Sequence, residues 1–158
     1  MSQEERGKGA GGGLLLVENN EDDVLFFKRE LARLRPGTPL EVVTNGAAAL
    51  RTLSGDAPLP SLVLLDLKLP RTSGLEVLSW MKEQPRLKGI PTLVLTSSSE
   101  ENSIRRAYAL GALTCIVKPV EFARLRDVVA AILAYWVEPG EASLGLLNRH
   151  AAVVPLET

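Results

Sequence analysis

Along this chain, short and nearly continuous apolar runs alternate with stretches whose apolar positions recur every three or four residues. Leu14-Leu15-Leu16-Val17 is the first such run, and Leu62-Val63-Leu64-Leu65, Pro91-Thr92-Leu93-Val94-Leu95-Thr96 and Thr114-Cys115-Ile116-Val117 repeat its character. Each is four to six residues long, the length of a buried strand rather than of a helix. Leu40-Glu41-Val42-Val43-Thr44 alternates more and reads as a strand at a sheet edge.

The stretches between them carry the helical period. Val24, Leu25, Phe27, Leu31 and Leu34 mark one helix up to the break at Pro36-Gly37, with Asn19 or Asn20 placed to cap it and acids in its first turn. After the Asn45-Gly46 turn, residues 47–53 form a short second helix ending at Ser54-Gly55. Ser73 with Glu76 three residues on is a capping box for a third, whose buried side is Leu75, Val77, Leu78 and Met81. A fourth follows Ser97-Ser98-Ser99 and stops at Gly111, and a fifth spans 121–137 with Phe122, Leu125, Val128, Val129, Ile132, Leu133 and Trp136 as its apolar residues.

Five strands alternating with five helices, four of the strands nearly continuous in apolar residues, predict a doubly wound α/β domain with a parallel sheet covered on both faces. The domain is expected over residues 14–137. A flexible lead-in precedes it over residues 1–13, where five of the last seven residues are glycine. A mixed C-terminal extension follows over residues 138–158.

Composition narrows the function rather than the fold. A net charge of −1 and a pI near 5.9 give no basic footprint, so direct nucleic-acid binding is not expected. The single cysteine, Cys115, excludes an internal disulfide and suits a reducing compartment, and with the lone His150 it cannot make a structural zinc site. No apolar run approaches membrane-spanning length and the N-terminus has no apolar signal core, so a cytoplasmic location with no membrane partner is expected.

The chemistry lies at the strand ends. In an open doubly wound sheet ligands bind outside the carboxyl ends of the strands. Glu18-Asn19 follows the first strand, Asp66 the third, Thr96 ends the fourth, and Lys118 follows the fifth. A bare carboxylate against the end of an apolar strand is costly unless something uses it. With a hydroxyl, an ammonium and a second acid on the same edge, Asp66 suits a nucleophile toward phosphorus, giving an acyl phosphate. Such transfer rests on positioning and charge neutralisation around Mg²⁺. Glu18 and Asp66 would hold the metal, with the backbone carbonyl of Lys68 a further ligand; Thr96 would hydrogen-bond one phosphoryl oxygen and Lys118 neutralise another.

Glu18-Asn19, Asp66-x-x-x-Pro70-x-x-x-Gly74, Thr96-Ser97 and Lys118-Pro119 together resemble a response-regulator receiver domain. The resemblance implies a flavodoxin-like fold of strand order 2-1-3-4-5 and phosphoryl acceptance on Asp66 from a histidine kinase. It makes Thr96 the signalling hydroxyl and implies a cis peptide before Pro119. No output domain is read after it. Glu18-x-Asn20-x-Asp22-Asp23, Leu65-Asp66-Leu67-x-Leu69-Pro70 and Ala134-Tyr135-Trp136 look like the single-domain regulators paired with phytochrome-type kinases. That narrower resemblance implies a homodimer through the last helices and the C-terminal extension.

Two positions depart from the family's pattern. Asn19 stands where a second metal-binding acid is usual, so Mg²⁺ is expected to bind more weakly, and Asp22 and Asp23 are the nearest acids that would compensate. Cys115 stands where a switching aromatic is usual and is too small to relay a signal by bulk. The alternative function is therefore a receiver-like docking protein that acts without phosphorylation. An aspartyl-phosphate hydrolase would need a second acid where Lys68 stands, and a flavin or nucleotide carrier would want a small, uncharged first loop.

Overall fold

The computed structural model describes residues 12–152, so most of the expected lead-in, and the extension beyond residue 152, lie outside the described residues. Five parallel strands form one sheet: β1 (Leu14–Val17), β2 (Leu40–Val43), β3 (Leu62–Leu65), β4 (Thr92–Thr96) and β5 (Thr114–Val117), in the order β2-β1-β3-β4-β5. This is the flavodoxin-like arrangement expected. The apolar runs are buried because both sheet faces are covered, whereas β2, with its alternating pattern, lies at an edge and is only partly buried.

Side chains alternate across the sheet and feed two cores. Leu15, Val17, Val63, Leu65, Val94 and Cys115 face one side, against helices α2 (Gly46–Ser54), α3 (Gly74–Glu83) and α4 (Glu101–Ala109). Leu14, Leu16, Leu62, Leu64, Leu93 and Ile116 face the other, against α1 (Glu21–Leu34) and α5 (Phe122–Val137). The helix starts follow local chemistry. Asn20 accepts from the Asp23 N–H at 2.9 Å and Asn45 from the Ala48 N–H at 2.8 Å, while Ser73 and Glu76 form the expected capping box.

The extension is more ordered than its sequence pattern predicts. A sixth helix, α6 (Glu141–Asn148), packs on α5 and buries Leu147 completely in the second core. Its eight residues include Gly145 and no strong apolar stripe, so tertiary burial rather than propensity holds it. Ser143 closes the turn into it by donating to the Glu138 carbonyl at 2.7 Å. At the end of α5, the Trp136 indole N–H donates to Ser61 Oγ at 2.8 Å and ties that helix to the loop entering β3.

Candidate functional site

The register of the sheet brings the strand ends together. Val17 pairs with Leu65, so Glu18 and Asp66 emerge side by side, and the Asp66 N–H donates to the Val17 carbonyl at 3.1 Å. Thr96 pairs with Val117, and the Lys118 N–H donates to the Thr96 carbonyl at 2.7 Å. Both carboxylates are buried, Glu18 to 3% exposure and Asp66 to 6%. A buried charge needs a partner, and Lys118 supplies one. Its Nζ lies 2.7 Å from Glu18 Oε1 and 3.5 Å from Asp66 Oδ2.

A third acid joins them. Asp23 Oδ2 lies 2.6 Å from the Lys118 ammonium. The contact closes a ring: Glu18 Oε2 accepts from the Asn20 N–H at 3.0 Å, Asn20 Oδ1 accepts from the Asp23 N–H, and Asp23 and Glu18 both hold Lys118. The sequence from Glu18 to Asp23 is thus both a helix cap and an ammonium clamp. Burial pushes the Glu18 carboxyl up to about 7, with the hydrogen bonds from Lys118 and the Asn20 N–H pulling the other way. Burial also works against the charge of Lys118, but the hydrogen bonds to Asp23 and Glu18 and the nearby Asp66 outweigh it, and the ammonium is held above its usual range.

The other expected site residues are placed differently. Thr96 is fully buried, and its hydroxyl accepts from the Ser98 N–H at 3.2 Å. Lys68 touches Asp66 through its amide, which donates to Oδ1 at 3.3 Å. Asn19 is exposed, while Asp23, on the next helical turn, is the acid that reaches the site. Asp22, equally close in sequence, is exposed. The 3.6-residue period carries the difference, but it becomes legible only once the helix start is fixed at Glu21.

The expected cis peptide is a correction: among the described residues no peptide bond is cis, so Lys118–Pro119 is trans. The Lys118 side chain is aimed instead by its backbone bond to Thr96 and by its two short carboxylate contacts. Cys115 is completely buried, and burial pushes its thiol up to about 12, so it is a small apolar core residue and not a reactive one.

The family description of the response regulator receiver domain matches residues 14–130. The chain belongs to the response-regulator receiver family. It is 39% identical over 126 residues to the probable methanogenesis regulatory protein FilR2 of Methanothrix harundinacea, covering 75% of this chain and 81% of that protein. It is 36% identical over 104 residues to the response regulator Rcp1 of Synechocystis, covering 63% of this chain and 71% of that one. Among solved structures it superposes on the phosphorylated cyanobacterial phytochrome response regulator RcpA with a TM-score of 0.74 at 35% identity, over 84% of this chain and 98% of that chain. On the Mn²⁺-bound form of Rcp1 the TM-score is 0.72 at 32% identity, over 81% and 96%.

In this receiver the loop that carries Asp66 is held under strain. Arg71 and Thr72 both have positive φ, 52° and 76°, a left-handed conformation that non-glycine residues rarely adopt. The start of α2 holds them there, as Gly46 N–H donates to the Pro70 carbonyl at 3.2 Å and Ala47 N–H to the Arg71 carbonyl at 2.9 Å. A Cβ at Gly46 would stand 1.8 Å from the Thr72 carbonyl oxygen, and one at Gly74 would stand 2.2 Å from that of Asp66. The two glycines let two helix starts close on the acceptor loop. Asn45-Gly46, which reads in sequence as a plain turn, is therefore part of the site's support.

The donor chemistry of the site fits a hard divalent cation. Three carboxylates face one ammonium, a formal excess of two negative charges, and every donor is oxygen. Among the described residues no three acidic, histidine or cysteine side chains are grouped to hold an ion as they stand, and Glu18 and Asp23 are turned onto Lys118.

Proposed function

We propose that this receiver accepts a phosphoryl group on Asp66 from a histidine kinase, in two-component signal transduction. The observation that carries the reading is the convergence of a buried Asp66 with Glu18 and Lys118 at the carboxyl ends of three strands. An Asp66 oxygen supplies the electron pair for the new bond to phosphorus. Lys118 neutralises the phosphoryl oxygens, and Thr96, at the end of the intervening strand, turns its hydroxyl from Ser98 toward the same group. Glu18 and Asp66 would hold Mg²⁺, with the Asn19 amide oxygen and the Lys68 carbonyl completing the protein ligands. The metal would supply charge neutralisation for the transferring group. The chain is then a substrate and timer of phosphoryl transfer and not an enzyme with a separate product.

Exposed apolar residues lie on the two segments that carry Asp23 and Lys118. Val120 is fully exposed, Phe122 is 72% exposed and stacks on Phe26 at 5.3 Å, and Leu25 lies on the same end of α1. Exposed apolar side chains beside a charged site suit a protein partner that seals the site from water. A phytochrome-type kinase is the partner that the resemblance to RcpA and Rcp1 supports, and a second copy of this chain is proposed at the exposed Val137 and Leu146 of α5 and α6. No described helix is long and apolar enough to cross a membrane, and a cytoplasmic location is part of the proposal.

The test is phosphorylation with acetyl phosphate and Mg²⁺, read by intact mass. The expected result is a gain of one phosphoryl group that Asp66→Asn abolishes. An unmodified wild type at saturating metal would overturn the reading in favour of a docking role independent of phosphorylation.

A further inference from the structure

Lys118 has two short partners and one long one, and the long one is Asp66. Its ammonium stands 2.6 Å from Asp23, 2.7 Å from Glu18 and 3.5 Å from Asp66. A charge-assisted N–H···O bond is made at about 2.7–2.9 Å, so the first two are full hydrogen bonds and the third is weak. Asp66 keeps one oxygen on the Lys68 N–H at 3.3 Å and is otherwise lightly held.

The position of Asp23 is built and not accidental. It lies in the first turn of α1, its own N–H is fixed by the Asn20 cap, and Asn20 is in turn fixed on Glu18. Its side chain is one-third exposed at the mouth of the site, whereas Glu18 is sealed beneath it. Asp23 can therefore swing into water and release the ammonium without opening a cavity, which Glu18 cannot do.

We propose that Asp23 is a positioning residue for phosphoryl acceptance: it holds Lys118 off Asp66 before transfer, also when Glu18 turns to a metal ion, and hands it over as the phosphoryl group arrives. The inference rests on phosphoryl acceptance by Asp66. In the step itself an Asp66 oxygen gives a lone pair to phosphorus, the bond from phosphorus to the donor atom breaks, and its electron pair leaves with the donor, as acetate when the donor is acetyl phosphate. Lys118 moves no proton; it follows the negative charge from Asp23 to the phosphoryl oxygens. Without Asp23 the ammonium keeps one short partner, exchanges its protons faster, and spends part of its time on Asp66, where it competes for a lone pair needed for attack.

Wild type, Asp23→Asn, Asp23→Glu and Asp22→Asn are compared in two measurements. One is the initial rate of mass gain with acetyl phosphate and Mg²⁺. The other is hydrogen exchange of the Lys118 ammonium, read by NMR on ¹⁵N-lysine protein before phosphorylation. Asp23→Asn is expected to slow uptake about tenfold, the scale of one charge-assisted hydrogen bond, and to speed ammonium exchange. Asp23→Glu restores both in part, and Asp22→Asn, which removes the same charge from the same turn, leaves both unchanged. Asp23→Ser replaces Asp23→Asn if that variant does not fold. Equal effects of Asp22→Asn and Asp23→Asn, or an unchanged rate or unchanged exchange in Asp23→Asn, would overturn the inference alone. A wild type that takes up no phosphoryl group would overturn it together with the proposed function.

Discussion

The hydroxyl of Tyr108 accepts a hydrogen bond from the backbone N–H of Cys115 at 3.1 Å. Cys115 sits on β5, the open edge of the sheet, and its carbonyl accepts from the Ala152 N–H at 2.7 Å. Both backbone groups of this edge residue are thus taken, one by a side chain from α4 and one by the chain that follows α6. An unpaired strand edge is a template for unwanted pairing, and here it is closed locally. Replacing Tyr108 by Phe keeps the ring and leaves the amide unpaired. It is expected to cost about 1–3 kcal/mol in a urea melt. No change in midpoint would mean that water satisfies the amide equally well.

Glu18 makes stability depend on pH. Its folded value, about 7, lies above its ordinary 4.5, so the folded protein binds the proton more tightly than the unfolded chain does. The sign follows: stability is greatest below pH 4.5 as far as this group is concerned, and falls as pH rises to about 7. Glu18→Gln should flatten that part of the profile in thermal melts, and Mg²⁺, which favours the ionised form, should flatten it in wild type. A Glu18→Gln profile parallel to wild type between pH 5 and 7 would contradict the assignment.

Gly46 is expected to be intolerant of any side chain. With a Cβ only 1.8 Å from the Thr72 carbonyl oxygen, Gly46→Ala must push α2 away from the acceptor loop. The expected loss is about 3 kcal/mol, with a fall in phosphoryl uptake as the loop loses its support. Arg71→Gly acts in the other direction, because it relieves a left-handed residue, and should raise stability by up to about 1 kcal/mol. Denaturant melts of the two variants together separate strain from simple loss of packing.

Leu147 is expected to behave as a core residue. It is completely buried among residues of α1, α5 and the sheet, so Leu147→Ala should cost about 2–5 kcal/mol. Truncation after Val137 should cost at least as much. A truncated chain with an unchanged melting temperature would show that α6 only rests on the surface.

Local pattern was enough for the sheet, its parallel sense, all five strand runs to within one residue, and the identity of Glu18, Asp66, Thr96 and Lys118 as strand-end residues. It could do so because strand burial and strand termination are written locally, in apolar runs cut off by polar residues or proline. The helix cap at Ser73 was legible for the same reason, whereas the first cap was legible only as Asn19 or Asn20 and the structure chose Asn20. Contacts made across the fold were not legible. Asp23 reaches Lys118 over a separation of 95 residues, Gly46 supports the loop at Thr72, Tyr108 takes the edge amide of Cys115, and α6 is held because Leu147 finds a core. Each of these depends on which strand lies beside which and on where a helix starts its first turn. A local pattern can name the residues that meet, but the distances that set their partners, 2.6 Å to Asp23 against 3.5 Å to Asp66, were decided by packing.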